Sequence, residues 1–174
     1  FSAAVKSTGA PMDFISEADD FSRYLFMVAP SYQLADPVLV EKWKKYAEAG
    51  GHLILSCRTA VKDRNGHFFE GRWAAPIRDL IGADVSFFDM LPEGVEGHVN
   101  ANGTVFGWNV WSEVLSPQPG TEVLATYTDQ YYAGRPAAVT RKLGRGTVTY
   151  IGVVSHDGML ERQLVRDVYK RAGV

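Results

Sequence analysis

Residues 35–58 constrain the fold more than any other segment, because they join a capped helix directly to a buried strand. The carboxylate of Asp36 is a capping group, Pro37 suits the first helical position, and apolar residues recur at helical spacing until a glycine pair ends the pattern. Residues 52–57 then read His-Leu-Ile-Leu-Ser-Cys. Almost continuously apolar strands are typical of parallel sheets covered on both faces. The segment therefore predicts a layered α/β domain.

The remaining sequence extends this pattern over the whole chain. A second apolar run at 23–30 precedes the helix and completes a strand–helix–strand crossover unit. Residues 1–8 resemble the end of a helix, and 12–15 form a short extended piece. We predict a flavodoxin-like, three-layer α/β sandwich with a mostly parallel sheet and a late antiparallel hairpin extension. Its other elements are strands at 84–88, 105–110, 122–128, 137–142 and 147–153, a short helix at 76–81, a long loop at 92–104, and a closing helix capped by Asp157.

Composition excludes several classes of partner. The 174 residues include 18 basic and 20 acidic side chains spread along the chain, so no basic surface for nucleic acid is indicated. No apolar stretch approaches the roughly 20 residues needed to cross a bilayer, and a single cysteine forms no internal disulfide. We expect neither a nucleic-acid nor a membrane partner.

Candidate groups for metal binding or acid–base catalysis are scattered. The four histidines, at 52, 67, 98 and 156, lack the spacing of metal ligands, so we expect no metal site and no cofactor. Glycoside hydrolysis needs two carboxyl groups held close together. Asp89, Glu113 and Asp129 lie near predicted strand ends, yet nothing in their spacing pairs any two of them. We interpret them as loop or capping residues.

Several motifs, in this order and spacing, resemble a known family. They are Asp36-Pro37 through Gly50-Gly51-His-Leu-Ile-Leu, Pro76-Ile-Arg-Asp-Leu-Ile-Gly82, Tyr131-Tyr-Ala-Gly-Arg-Pro-Ala-Ala-Val-Thr-Arg141, and Gly144-Arg-Gly-Thr-Val-Thr-Tyr-Ile-Gly152. Over nearly its whole length the chain is similar to the middle, or trimerisation, domain of family forty-two β-galactosidases. The resemblance implies a fold like that of class I glutamine amidotransferases.

The resemblance also implies a function. Enzymes of this family cleave terminal β-galactosyl residues with two glutamates carried by a separate barrel domain, and the middle domain packs three subunits together. We therefore expect residues 1–174 to form a single non-catalytic assembly domain that self-associates as a homotrimer. The family's middle domain opens with a strand before the helix that ends here at residues 1–8. We expect that the chain is truncated at this N-terminal strand.

The amidotransferase-like fold raises one alternative function. Amidotransferases place a nucleophilic cysteine on a tight turn after a comparable strand and take a histidine from a later strand end, positions that match Cys57 and His156. A reactive thiolate needs an exposing turn and a neighbouring base. Ser56 to Thr59 contain no glycine for such a turn, so we favour a buried, inert cysteine.

Aromatic residues support an interface and leave a third function open. A turn-rich loop carries His67, Phe68, Phe69 and Trp73, and exposing so many rings is unfavourable unless a partner covers them. We predict that this loop lies in an interface. Rings at Trp108, Trp111, Tyr131 and Tyr132 leave a carbohydrate-binding module open as a third function, in which they stack on sugars, although core packing is the commonest fate of any one ring.

Overall fold

The computed structural model describes residues 1–174 as nine β-strands and four α-helices. Two 3₁₀ turns, Phe21–Arg23 and Ala75–Ile77, lie between them. The helices are α1 (Ser2–Lys6), α2 (Pro37–Glu48), α3 (Arg78–Ile81) and α4 (Met159–Arg171). The strands are β1 (Phe26–Ala29), β2 (His52–Ser56), β3 (Ala83–Asp89), β4 (Gly97–Ala101), β5 (Thr104–Pro117), β6 (Thr121–Tyr127), β7 (Pro136–Leu143), β8 (Gly146–Ile151) and β9 (Val153–Ser155).

Helix α2 begins as its sequence predicts. The Asp36 carboxylate accepts a hydrogen bond from the backbone N–H of Leu39 at 2.8 Å, and Pro37 is the first helical residue. Leu39, Trp43, Tyr46 and Ala47 are buried on one side of the helix. This apolar stripe holds α2 against the sheet, so the chain must return directly into β2.

The sheet is mixed, with the order β1-β2-β8-β7-β6-β4-β5-β3. The first three strands are parallel, which confirms the α/β class, and all later neighbours pair antiparallel. The antiparallel part is thus larger than a late hairpin. Strand β9 continues β8 beyond Gly152 and pairs with β5.

The predicted loop at 92–104 is wrong over its second half, where β4 pairs with β5. Val99 and Ala101 face the core in alternation, which is the burial pattern of a strand. Gly97 misled the prediction because glycine usually marks a loop. Here it makes room for a ring, since a Cβ at Gly97 would lie 2.7 Å from the Trp108 indole.

Helices cover both faces of the sheet and so give three layers. Leu53 and Leu55 of β2 belong to the core cluster that contains the apolar residues of α2. Ile54, between them, belongs to the cluster that contains those of α1 and α4. None of these helices combines the length and the apolar content needed to cross a membrane.

Gly152 brings β5 into the centre of the molecule. Its carbonyl accepts the Glu113 N–H at 2.7 Å, and its own N–H donates to the Ala137 carbonyl at 2.8 Å. A Cβ at this position would lie 2.8 Å from the Glu113 carbonyl oxygen. Glycine therefore permits the close approach that places the Glu113 side chain beneath the carboxyl ends of β2 and β8.

Candidate assembly surface

A buried carboxylate organises the most elaborate polar cluster of the chain. Glu113 is 0% exposed, and its Oε1 accepts hydrogen bonds from the Arg58 backbone N–H at 2.8 Å, Trp73 Nε1 at 2.7 Å and Trp111 Nε1 at 3.2 Å. Its Oε2 accepts the Tyr150 hydroxyl at 2.5 Å. Both carboxylate oxygens are therefore satisfied, as a buried charged group requires.

The cluster contains no cationic side chain that hydrogen-bonds to Glu113. Burial raises the pKa of the Glu113 carboxyl above its ordinary value, and the donated hydrogen bonds oppose that rise. Burial also raises the pKa of Tyr150 well above its ordinary value, so its hydroxyl remains a donor. The arrangement suits a fixed structural anchor whose donors come from four separate segments of the chain.

Four aromatic rings lie over this anchor, and we call Phe68, Trp73, Phe88 and Trp111 the aromatic platform. Ring centroids are 4.6 Å apart for both Trp73–Phe88 and Phe88–Trp111, and 5.6–5.7 Å apart for Trp73 with Trp111 and Phe68. Phe68 is 59% exposed and Phe88 is 42% exposed. The platform is thus a contiguous apolar surface that faces outward.

Two cations flank the aromatic platform. The Arg58 guanidinium lies 5.0 Å from the centroid of the Trp111 ring, and the Lys62 ammonium lies 4.8 Å from that of Phe68. Both distances fall within the range of cation–π attraction. The aromatic platform therefore combines ring surface with positive charge at its margin.

The aromatic platform lies at the carboxyl edge of the parallel strands, where open α/β sheets usually bind ligands. Three non-glycine residues that follow β1 and β2 have positive φ: Ser31 (46°), Arg58 (66°) and Ala60 (54°). Such backbone is strained and typically persists at functional positions. Here the position beside them is filled by Glu113 and the indoles it holds.

The structure brings two of the four predicted loop residues into the aromatic platform. The loop turns tightly because the Asp63 carboxylate accepts the backbone N–H of His67 at 3.0 Å. Phe68 and Trp73 join the platform. Phe69 is half-buried and donates its N–H to the Val61 carbonyl, whereas His67 is exposed with its Nδ1 3.6 Å from Asp63.

Cys57 and His156 are not brought together. Cys57 is 1% exposed, and burial raises the pKa of its thiol far above the ordinary value. The exposed His156 places its Nδ1 3.0 Å from a Glu96 carboxylate oxygen. The thiol therefore lacks both the exposure and the neighbouring base that a nucleophile needs.

The three acids considered for glycoside hydrolysis have separate partners. Asp89 accepts the Tyr132 hydroxyl at 2.8 Å, and Asp129 lies 2.7 Å from His98 Nδ1. Glu113 is enclosed by its four donors. No group of three or more His, Cys, Asp or Glu side chains is arranged to hold a metal ion.

Trp108 does not fit the alternative of a sugar-stacking module, because this residue is 0% exposed. Tyr132 is also buried, whereas Tyr131 is 81% exposed and stacks on Phe87 with centroids 5.7 Å apart. Of the rings assigned to a carbohydrate-binding module, Trp111 and Tyr131 thus remain at the surface, in different clusters.

Phe88 as a platform ring and Glu113 as an anchor are not predicted from the sequence. Antiparallel register pairs Phe88 with Glu113, and Trp111 lies two residues along β5 on the same face. One sequence signal could have indicated a buried acid. Glu113 stands between Ser112 and the apolar pair Val114-Leu115, two residues after a tryptophan.

The fold and this surface define a class of protein, an α/β scaffold. In this scaffold the protein's own side chains fill the place where α/β sheets usually bind ligands, and the aromatic platform faces outward. The family model described as "Beta-galactosidase trimerisation domain" matches residues 1–174. The chain therefore belongs to the β-galactosidase trimerisation domain family.

Curated and solved relatives agree with this assignment. The chain is 32% identical over 179 residues to the β-galactosidase BglY of Alicyclobacillus acidocaldarius, covering 99% of this chain and 26% of that protein. It superimposes on the β-galactosidase of the haloarchaeon Halorubrum lacusprofundi with a TM-score of 0.91 and 33% identity, covering 100% of this chain and 26% of that one. The chain spans about a quarter of the length of its curated relatives.

A more distant structure shows the same fold. The β-galactosidase from Bacillus circulans sp. alkalophilus superimposes with a TM-score of 0.84 at 22% identity, covering 93% of this chain and 25% of that one. At this level of identity the superposition shows the fold alone.

Proposed function

We propose that residues 1–174 are the assembly domain of a β-galactosidase and hold three copies of that enzyme together as a homotrimer. The match of the trimerisation family model over the whole chain carries this proposal, and the outward-facing aromatic platform is consistent with it, because exposed apolar surface of this kind often marks a protein contact.

The proposed domain performs no bond cleavage itself. In support, the carboxylates of Asp89, Glu113 and Asp129 are each engaged with other partners, and Cys57 is buried away from His156. Hydrolysis of terminal β-galactosides would take place on a separate barrel domain of the longer protein. The β-galactosidase names of relatives about four times as long support this division of labour.

Light scattering on the intact protein tests the assembly role. We expect a mass three times that of one chain, and a monomer at micromolar concentration would refute the role. Cys57→Ala tests the non-catalytic role in the same preparation. The variant should hydrolyse a nitrophenyl β-galactoside at the wild-type rate, whereas loss of turnover on galactoside or glutamine would assign chemistry to this domain.

We further propose that the domain contains one more strand, supplied by chain preceding Phe1. Residues 11–15 have no regular secondary structure and form no backbone–backbone hydrogen bond. A cleft of about 450 Å³, lined mainly by apolar side chains, separates them from β1, the edge strand of the parallel ladder. An unpaired edge beside an apolar cleft is suited to strand addition.

The handedness of the crossovers supports the same position. Helix α2 connects β1 to β2 on one face of the sheet, and α1 lies on the opposite face with α4. Right-handed connections on opposite faces run in opposite directions across a sheet. Because α1 leads into residues 11–15, the strand that enters α1 must lie on the β2 side of those residues. It therefore occupies the cleft between residues 11–15 and β1.

Hydrogen exchange in the intact protein tests this additional strand. The Leu25 carbonyl accepts the His52 N–H, so alternate groups, including the N–H groups of Phe26 and Val28, face away from β2. We expect peptides covering residues 11–15 and β1 to exchange slowly, at rates like those of β2. Exchange as fast as in the 63–70 loop would refute the proposal.

A further inference from the structure

We infer that the aromatic platform is the surface covered by a neighbouring copy of this protein, and that Glu113 is the positioning residue that sets its rings. The inference rests on the proposed assembly function and deepens it by assigning the contact surface.

Glu113 prepares the aromatic platform for contact before a partner arrives. One carboxylate oxygen holds the indole N–H groups of both Trp73 and Trp111, at 2.7 and 3.2 Å. Their polar atoms therefore point inward, and apolar ring surface points outward. Because these side chains are already fixed, covering them costs less conformational entropy than ordering free ones.

The ring geometry favours a protein partner over a sugar. Phe88 and Trp111 stack on each other at 14° with centroids 4.6 Å apart, so these faces are already used. Trp73 is tilted at 44° to Phe88 and 35° to Trp111, which leaves no single broad ring plane for a pyranose. Aromatic rings with an adjacent arginine, here Arg58 beside Trp111, are instead typical of the centre of protein interfaces.

A second copy of the same protein is the occupant that the observations favour. The domain belongs to a family named for trimerisation, and about three quarters of each relative's length lies outside the corresponding domain, which leaves ample surface for the opposing side. A cyclic trimer uses a heterologous contact, in which a surface meets a different surface of the next subunit. The aromatic platform therefore needs no self-complementary shape.

Two single substitutions in the intact protein test the contact. Phe68→Ser and Phe88→Ser remove exposed rings without opening the core, and Val38→Ser is the control, because Val38 is 77% exposed on α2 and belongs to no cluster. Sedimentation equilibrium should show trimer dissociation at least about tenfold stronger for both ring variants. The control should remain a trimer like the wild type.

Glu113 needs a test that separates positioning from folding. Glu113→Gln retains an oxygen that accepts from both indoles, whereas Glu113→Ala retains none. We expect Glu113→Ala to shift tryptophan emission to longer wavelength and to weaken the trimer, and Glu113→Gln to restore both properties. Equal trimer dissociation in wild type and a folded Glu113→Ala variant would refute the positioning role.

The outcomes distinguish this inference from the proposed function. If the wild type is a trimer and both ring variants dissociate no more readily, the aromatic platform is not the contact and only the inference fails. If the wild type is monomeric, the assembly role fails as well. Quenching of platform tryptophan emission by galactose, with assembly unchanged, would identify a sugar site and overturn the inference.

Discussion

Replacing Glu113 by alanine should destabilise the domain far more than replacing it by glutamine. Alanine leaves the buried Tyr150 hydroxyl without its acceptor, which costs about 1–3 kcal/mol, and the part-buried Arg58 N–H without its own, which costs less because Arg58 is exposed. The indoles of Trp73 and Trp111 are half-buried, so water can reach them at lower cost. With the cavity included, we expect a loss of about 3–6 kcal/mol.

Glutamine keeps the geometry and removes the ionisation. Its carbonyl oxygen accepts from the same three N–H groups, and its amide N–H₂ can donate to the Tyr150 oxygen. We expect Glu113→Gln to change the free energy of unfolding by about 1 kcal/mol or less near neutral pH.

The two variants also differ from the wild type in their response to pH. Because burial raises the pKa of Glu113 in the folded state, the folded protein binds this proton more readily than the unfolded chain. The contribution of Glu113 to stability is therefore fully present below its unfolded pKa and is lost as pH rises through its folded pKa. Glu113→Gln should lack this decline.

Hydrogen exchange of β5 and β8 peptides in the intact protein, measured across a urea series, reports the unfolding of this domain alone. The stability of the wild type should fall as pH rises, and that of Glu113→Gln should not. Glu113→Ala should unfold at a much lower urea concentration than either. Equal stability of the alanine and glutamine variants would show that the four hydrogen bonds do not hold the centre of the sheet.

Three further outcomes follow from packing. Gly146→Ala should prevent stable folding, because the added Cβ would collide with the carbonyl oxygen of Gly51. Gly120→Ala is the control, because Gly120 lies in open space at φ +83° and the substitution should lower stability by only about 1 kcal/mol. Thermal unfolding compares the two variants, and equal losses of stability would contradict the close packing at Gly146. Cys57 should resist Ellman's reagent until urea unfolds the domain, and rapid stoichiometric labelling of the native protein would show that the sulfur is accessible. Trp43→Ala should lower stability by about 3–5 kcal/mol because this ring is 1% exposed, and a loss below 1 kcal/mol in urea unfolding would place it outside the core.

Local signals made the parallel part of the fold predictable. The Asp36 cap and the proline after it mark the start of α2, and the apolar run marks β2, each within the element itself, so the sequence alone indicates where α2 and β2 lie. The antiparallel part depends on pairing between distant strands. Strand β5 is 14 residues long and pairs with three other strands. The polar Ser112-Glu113 pair interrupts its apolar pattern, so the sequence does not show that the strand continues to Pro117.

The sequence predicts only part of the assembly surface. Phe68 and Trp73 stood out because they share one short loop. Glu113 did not, because its donors Arg58, Trp73 and Tyr150 lie 37 to 55 positions away and meet it only in the folded sheet. A buried acid is recognisable from its partners, and these partners are brought together by topology rather than by spacing.

A cryo-electron microscopy structure of the intact protein with a galactoside bound would show both the assembly contact and the sugar site. We expect three copies with Phe68 and Phe88 covered by a neighbouring subunit, and with the sugar bound outside residues 1–174. A galactoside seated on residues 1–174, or single copies with these rings open to solvent, would contradict this expectation.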